Sequence, residues 1–407
     1  MGVERMKGRT KKQDAPLDLP PSPPRRTGVT RYTPNTGTPA LRAAIAAKLT
    51  NENGVATTPG DVVVSNGAKQ AVWQALLAAV SPGDDVLIPA PYWVSYPEMA
   101  TLAGANPVIL PSDAADGFLL SPATLAAALT PRSRVLILCT PSNPSGAVYD
   151  RERLQVCRGM GGGRGGCCAP SVAAMLAPPP PPQQLAAVVA SHPRLLVLSD
   201  EIYEYITYPP ATHISFASLP GMAPRTLTVN GFSKAYAMTG WRLGYLAAPP
   251  PFAAAAAAIQ SQTTSGASSI AQHAALAALG MGPGGGPLVG AMVDAFRERR
   301  DAVTTRLRAI PGVSLPATPG GAFYAMPDVS ALVGSGARAD GFGEVADGDA
   351  LCAYLLDAAL VALVPGSAFG APSCVRLSYA ASLDTLNEAM DRIERALAPG
   401  VYTRPAQ

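Results

Sequence analysis

The sequence has few charged residues, which make up 14% of its 407 positions, whereas hydrophobic residues make up 48%. Chains that stay unfolded have the opposite balance, with high net charge and few apolar side chains. The shortage of charge therefore excludes a disordered chain and favours a compact, alanine-rich protein. At this length the chain can form one large domain and one smaller domain, each with its own core.

An excess of positive charge is also missing beyond the first 26 residues. The net charge is +3, but residues 1–26 contain seven Lys or Arg against three Asp or Glu, which leaves the remainder at −1. Nucleic-acid binding depends on a broad basic surface. We therefore predict no nucleic-acid partner.

Long apolar runs and CxxC pairs are absent as well. No apolar stretch reaches the roughly eighteen residues of a membrane span, so we expect a soluble protein with no membrane partner. The six cysteines contain no CxxC pair, which favours reduced, non-structural thiols. No metal site is predicted. The basic N-terminus contains acidic residues and little serine, so it is a poor transit peptide and not a secretory signal.

Two segments are rich in residues that do not build packed elements. Residues 1–29, which contain PPSPPRR, are expected to be a disordered basic arm. Residues 156–184 contain GMGGGRGGCC and a run of five prolines, and we expect this insert to be disordered too. Two interpretations of the insert remain open, a weak Pro-rich docking site and a retained intron.

Seven short β-rich runs predict the fold. They are DVVVS, DVLIP, PVIL, RVLILC, LLVLS, TLTV and RLGYLA, and most are separated by helical stretches. This alternation is typical of a largely parallel sheet with helices on both faces. Thr38 followed by Pro39 predicts a helix that runs to Gly54. We place a large domain at residues 30–280 and a smaller α+β domain at residues 281–400.

The segment NGFSKAYAMTGWRLGY, residues 230–245, places Lys234 and Arg242 eight positions apart. A lysine that loses its proton near neutral pH can form a Schiff base, and a nearby arginine offers a rigid fork to a phosphate. Together they predict a pyridoxal phosphate site, with Lys234 on the aldehyde and Arg242 on the phosphate. Taken without their neighbours, the two residues also fit a surface lysine and a solvated arginine.

Between residues 30 and 397 the chain resembles the aspartate/prephenate branch of the class I/II aminotransferases, which have fold type I. The resemblance rests on motifs in the family's order: TRYTPNTGTPALR, SNGAKQAVWQAL, APYWVSYPEM, PSNPSGAVY, VLSDEIYE, the lysine segment, GGAFYAMPD, ALVPGSAFG and VRLSYA. It implies a seven-stranded, mostly parallel sheet, pyridoxal 5′-phosphate as cofactor, and a homodimer with shared active sites. Related plant and algal enzymes are plastidial, and both plastid and cytoplasm remain open for this chain.

The resemblance also implies which residues hold the cofactor phosphate. Backbone groups at the start of a helix favour an anion. The residues concerned are Gly67, Ala68, Lys69 and Ser233, with a hydroxyl from Tyr32 of the neighbouring subunit.

Four further residues are implied to contact the cofactor ring. Asp200 pairs with the pyridine nitrogen and keeps it protonated. Tyr203 and Asn143 reach the phenolic oxygen. Trp93 stacks on the ring and offers its indole N–H to a substrate carboxylate, although core packing is an alternative for this side chain.

The implied reaction is a ping-pong transamination in which Lys234 acts as general base and acid. Arg376 is the expected fork for the substrate α-carboxylate, and Asn143 lies beside the same substrate. Lys69 is the candidate for a second substrate carboxylate, with a phosphate contact as its competing role. The substrates would be amino acids and 2-oxo acids: aspartate, glutamate, 2-oxoglutarate, oxaloacetate and, in this branch, prephenate.

One departure from the family pattern leaves a second functional hypothesis open. Family members carry a longer segment before the TRYTP motif, so part of the small domain and one wall of the substrate pocket are expected to be missing. The alternative is therefore a truncated or mis-assembled, weakly active or inactive paralogue. Such a protein would act at most in cofactor binding or as a scaffold.

Overall fold

The computed structural model describes residues 29–154 and 184–405. The predicted arm, apart from its last residue, and the predicted insert, apart from residue 184, lie outside the described residues. The helices are α1 (Pro39–Asn53), α2 (Ala68–Ala79), α3 (Ser95–Leu102), α4 (Pro122–Ala128), α5 (Arg151–Leu154), α6 (Leu185–Ser191), α7 (Pro250–Thr263), α8 (Ser269–Leu279), α9 (Gly286–Ala309), α10 (Gly348–Ala359) and α11 (Leu383–Ala396).

Seven strands form one sheet in the order β1-β7-β6-β5-β4-β2-β3. They are β1 (Val62–Ser65), β2 (Asp85–Pro89), β3 (Asn106–Leu110), β4 (Ser133–Cys139), β5 (Leu196–Asp200), β6 (Thr226–Gly231) and β7 (Gly244–Ala247). The neighbours from β6 to β3 pair in parallel, whereas β7 is antiparallel to both β6 and β1. The predicted seven-stranded, mostly parallel sheet is confirmed.

One predicted strand begins later than expected. The run RLGYLA was predicted as a strand from Arg242, but β7 begins at Gly244. Arg242 adopts φ 50° and ψ 58°, the left-handed region, which an extended strand does not use. The departure is local, because the strand follows two residues later.

The first helix follows its predicted signals. The Thr38 hydroxyl accepts a hydrogen bond from the backbone N–H of Leu41 at 3.4 Å, and Pro39 occupies the first helical position. Gly54 ends the helix with φ 68°, a conformation that glycine adopts without strain. Local chemistry therefore fixes both ends of α1.

Helices cover both faces of the sheet. In β2, Val86 and Ile88 pack into the core formed with α2, α3 and α7, whereas Leu87 packs into the opposite core. That opposite face is covered by α4, α5 and α6 near β2, and by α1 and α8 near β1 and β7. The alternation follows from the two-residue period of a strand.

A second hydrophobic core lies towards the C-terminus. It packs α9, α10 and α11 around two three-stranded sheets, β10-β9-β13 and β11-β12-β8. Their strands are β8 (Tyr324–Ala325), β9 (Arg338–Ala339), β10 (Gly343–Glu344), β11 (Val364–Pro365), β12 (Val375–Ser378) and β13 (Tyr402–Thr403). Residues following β5, including Ile202 and Tyr203, belong to the same core. This distribution supports our proposal of a large domain at residues 30–280 and a small domain at 281–400.

Within the described ranges, no single helix is long and apolar enough to cross a bilayer. One pair, Ser269–Leu279 with Pro283–Ala309, meets the length and composition requirement jointly, but the two helices are bent by 92° where they meet.

Gly244 lies where β7 meets the start of α2, and we predict that Gly244→Ala destabilises the protein by about 3 kcal/mol. A Cβ at this position would lie 2.6 Å from the backbone carbonyl carbon of Gly67, which has no side chain to move aside. Urea unfolding measures the change. Gly240→Ala is the matched control, because nothing lies within 4 Å of a Cβ there. Equal stability of the two variants would contradict the prediction.

Candidate active site

Lys234 lies in the turn that follows β6 and is half-buried. Its Nζ atom lies 5.8 Å from the centre of the Tyr203 ring and 5.7 Å from that of Phe323. Among the described residues it forms no ion pair with a carboxylate. Burial, and next the charge of Arg242, lower the pKa of Lys234 below its ordinary value. The amine is therefore more readily deprotonated than a surface lysine.

A cavity of about 180 Å³ opens beside this lysine, at the carboxyl ends of the parallel strands β4, β5 and β6. Ligands of open α/β sheets bind at such strand ends. The predicted site residues that line the pocket are Ala68, Lys69, Trp93, Asn143, Asp200, Tyr203, Ser233, Lys234 and Arg242. Residues that are distant in sequence thus share one cavity.

An anion-binding corner is formed where α2 begins. Gly67 precedes the helix with φ 81°, and the first backbone N–H groups of α2 have no partner within the helix. The guanidinium of Arg242 lies against Gly67, where an added Cβ would approach its Cζ to 2.9 Å. Glycine at position 67 therefore allows the cation and the helix end to share one corner.

Asp200 ends β5 and is buried, with only 5% of the residue exposed. Its carboxylate accepts hydrogen bonds from the Tyr96 hydroxyl at 2.8 Å and from the backbone N–H of Ile202 at 3.2 Å. Burial is the main cause that raises the pKa of Asp200 to about 6, although Tyr96 and Lys234 oppose this shift. The carboxyl group can therefore ionise near neutral pH and pair with a cationic group.

Arg376, on β12, does not line the pocket itself but reaches a residue that does. Its Nη1 donates to Oδ1 of Asn143 at 3.0 Å. The guanidinium carbon lies 4.7 Å from the Tyr324 ring centre and 4.8 Å from that of Phe369. Its Nε is buried and has no hydrogen-bond partner among the described residues. The arginine is held in place while it keeps donors free for a ligand.

Trp93 and Tyr203 line opposite parts of the pocket with different partners. The Nζ of Lys69 lies 4.9 Å from the Trp93 ring centre, and Trp93 contacts Tyr96 edge to face at 5.3 Å. The Tyr203 hydroxyl lies 3.1 Å from that of Tyr324. Burial raises the pKa of Tyr203 well above its ordinary value, so its hydroxyl stays a donor.

Tyr32 is not among the residues that line this pocket. It is fully exposed and lies in a shallow depression formed by residues 30–33 and 264–269. Tyr32 therefore does not line the phosphate corner of its own chain. The prediction that Tyr32 acts on a neighbouring subunit remains a prediction.

Known proteins share both this sequence and this architecture. Residues 25–157 and 167–393 match the family described as aminotransferase class I and II. A Petunia hybrida protein, named bifunctional aspartate aminotransferase and glutamate/aspartate-prephenate aminotransferase, is 57% identical over 372 residues, which cover 91% of this chain and 71% of that protein.

Two solved structures are similar as well. The aspartate aminotransferase from Rhizobium meliloti superposes with a TM-score of 0.81 at 38% identity, covering 92% of this chain and 85% of that one. Aspartate aminotransferase from Thermus thermophilus with maleate gives a TM-score of 0.77 at 36% identity, covering 91% and 84%. The chain belongs to the class I and II aminotransferase family. The aminotransferase activity and the fold expected from the sequence motifs are confirmed.

Class I and II aminotransferases depend on pyridoxal 5′-phosphate, and the pocket of this aminotransferase fits that cofactor. The corner formed by Gly67 and Arg242 suits the phosphate, the buried Asp200 suits a ring nitrogen that carries a proton, and Lys234 provides the amine.

Some pocket contacts were missed by reasoning from the sequence. Tyr96 follows Trp93 by three residues in YWVSYPEM, a helical spacing that would have placed both on one face. Tyr324 and Phe369 lie within the quoted motifs GGAFYAMPD and ALVPGSAFG, but no local signal marks them as partners of an arginine. Cys139 lines the pocket because it ends β4. Burial raises the pKa of its thiol to about 12, so the thiol stays neutral.

The raised pKa of Asp200 predicts how stability depends on pH in the cofactor-free aminotransferase. A carboxyl group whose pKa is higher in the folded state binds its proton more tightly there, so stability is lost as the pH rises from about 4 through 6. Asp200→Asn cannot ionise and should be more stable than the wild type by up to about 3 kcal/mol at pH 8. Urea unfolding should show this advantage disappearing near pH 4. An advantage that does not change with pH would refute the assignment.

Proposed function

We propose that this aminotransferase transfers the amino group of aspartate or glutamate to 2-oxoglutarate or oxaloacetate, and also accepts prephenate. The observation that carries the proposal is the pair of cations at the pocket, Lys69 on its wall and Arg376 bonded to the pocket residue Asn143. A dicarboxylic substrate needs two such partners. Arg376 offers a planar fork for the α-carboxylate, and Lys69 offers a point charge for the side chain.

The names of two related proteins agree with this substrate class. The Petunia hybrida relative carries aspartate, glutamate and prephenate in its name, and the Thermus thermophilus enzyme was solved with maleate, a dicarboxylate. Each of these molecules carries two carboxylate groups. Two cations at one pocket are the matching recognition chemistry.

Within this proposal the cofactor would be held at four places. Ser233, Arg242 and the backbone of residues 67–69 bind the phosphate, and Asp200 pairs with the ring nitrogen. Tyr203 and the free amide group of Asn143 donate to the phenolic oxygen, and Trp93 lies on the ring. The support is that all of these except Gly67 line one pocket, and Gly67 adjoins it.

When bound, pyridoxal phosphate supplies an aldehyde that bonds the amino nitrogen and a ring that accepts the electron pair left at the substrate Cα. Lys234 Nζ would take the Cα proton as a general base and, as a general acid, deliver it to the carbon that was the cofactor aldehyde. Its lowered pKa favours the neutral amine that this step requires. Asp200 keeps the ring nitrogen protonated, and Arg376 orients the substrate.

We further propose a homodimer with shared active sites, in which Tyr32 donates to the phosphate bound by the partner subunit. The support is the complete exposure of this tyrosine and its absence from the pocket of its own chain. An unpaired tyrosine on the surface is typical of an interface. Sedimentation velocity at micromolar concentration should give a dimer, and a monomer that retains full activity would exclude this arrangement.

We predict that pyridoxal phosphate binds covalently to Lys234 and to no other lysine. The reason is that Lys234, alone among the lysines at residues 29–154 and 184–405, combines a lowered pKa with a place beside Asp200 and the anion-binding corner. Borohydride reduction followed by peptide mapping should place the label on this residue. Lys234→Ala should remove the label, and Lys69→Ala is the matched control that should keep it. A folded protein without label would favour the scaffold alternative.

Two substitutions distinguish the roles of Arg376 and Lys69, the two cations proposed to bind the substrate. Arg376→Ala should cost roughly 3 kcal/mol or more in kcat/KM, about 100-fold, for every amino donor, without changing the absorbance of the bound cofactor. Lys69→Ala should lower kcat/KM for aspartate but not for alanine, which lacks a second carboxylate. Steady-state kinetics with both donors measure this. If Lys69→Ala instead weakens cofactor binding and affects both donors equally, Lys69 serves the phosphate.

A further inference from the structure

A buried polar cluster lies behind the pocket, on the far side of β5. Ser199 and Glu201 flank Asp200, and neighbouring residues of a strand point to opposite faces. Glu201 is fully buried, and its Oε1 accepts hydrogen bonds from the hydroxyls of Ser199 at 2.8 Å and Ser215 at 2.9 Å. Its Oε2 accepts from Nε2 of His213 at 3.1 Å. We call Ser199, Glu201, His213 and Ser215 the rear cluster.

The rear cluster fixes the end of β5 from behind. The Ser199–Glu201 hydrogen bond spans Asp200 on the side opposite the pocket, and the backbone N–H of Glu201 donates to the carbonyl of Val229 in β6 at 2.8 Å. None of the four side chains lines the pocket. Any effect of these side chains on the cofactor is therefore indirect, and Asp200 is the pocket residue that two of them flank.

The cluster also carries a charge that Asp200 experiences. Burial would raise the pKa of Glu201, but His213 and the two serine hydroxyls lower it below its ordinary value, so the carboxylate stays ionised. That negative charge is a cause, after burial, of the raised pKa of Asp200. A buried charge of this kind is costly, and its hydrogen bonds offset the cost only while all of them form.

A metal ion is a less suitable explanation for this cluster. Ligand atoms of Glu201, Glu204 and His213 lie within 4.8 Å of one another. Glu204, however, already forms a buried ion pair with Lys48 and accepts from Asn53 at 2.8 Å. The ammonium group supplies the positive charge that the carboxylates require.

We propose that Glu201 is a positioning residue for the cofactor, because the rear cluster fixes the backbone on both sides of Asp200, the residue that would pair with the ring nitrogen. This inference rests on the role proposed for Asp200 above. Partners of a ligating group typically change affinity by about 10- to 100-fold when they are removed. The Glu201 side chain should act in this way without touching the cofactor.

The test is a titration of the cofactor-free, full-length protein with pyridoxal phosphate, followed by absorbance. Glu201→Gln keeps the size of the side chain but removes its charge and replaces one acceptor oxygen by a donor, which disrupts the hydrogen bonds of the rear cluster and should raise the Kd about tenfold. Glu204→Gln is the matched control: it removes a buried carboxylate from the same turn, lowers the Tm, and should leave the Kd within about twofold. If Glu201→Gln also leaves the Kd within about twofold of the wild-type value, the proposal is overturned.

A double-mutant cycle shows whether Glu201 acts through Asp200. In an Asp200→Ala background, Glu201→Gln should change the Kd by less than about twofold. A tenfold effect that persists in this background would overturn the positioning role and indicate a general effect on the fold. If Asp200→Ala alone leaves the Kd unchanged, the role proposed for Asp200 itself fails. If it raises the Kd while Glu201→Gln does not, only the inference about Glu201 fails.

Discussion

The burial of one carboxylate, that of Asp200 at the end of the central strand, is the constraint on which the active site depends. A buried carboxylate is unfavourable unless hydrogen bonds and opposite charge compensate for it. Here the compensation comes from the Tyr96 hydroxyl, the backbone of Ile202 and the charge of Lys234. Helix α3, the turn after β5 and the turn after β6 must therefore all be in place around this one group.

A second constraint acts between backbones. The start of α2 and the beginning of β7 approach so closely that a side chain is excluded at Gly244, and at Gly67 an added Cβ would meet the guanidinium of Arg242. The same approach lets Arg242, in its left-handed conformation, lie against the positive end of a helix. Two sources of positive potential would repel a neighbouring cation, and the charge of Arg242 does lower the pKa of Lys234. The positive charge that suits a phosphate at this corner therefore also lowers the pKa of Lys234.

The C-terminal part of the chain meets the large sheet beside the pocket. Arg376 lies on β12, and its hydrogen-bond partner Asn143 follows β4 of the large sheet. Within the C-terminal core, Tyr324 on β8 contacts Tyr203, which follows β5 of the large sheet. Arg376 and Tyr203, which we propose to bind substrate and cofactor, are therefore both held by contacts between the C-terminal part of the chain and the large sheet.

The sequence by itself determined the parts of this protein that depend on local signals. Seven β-rich runs, the two ends of α1 and the spacing of Lys234 and Arg242 could all be identified because strand period, helix caps and short motifs act over a few residues. Only the tertiary structure decided the Arg376–Asn143 bond, which joins residues 233 positions apart, and the rear cluster around Glu201. It also decided the antiparallel direction of β7. These features depend on which strand ends and which faces meet in the folded protein. A local sequence pattern cannot specify such pairings, because the partners are distant along the chain.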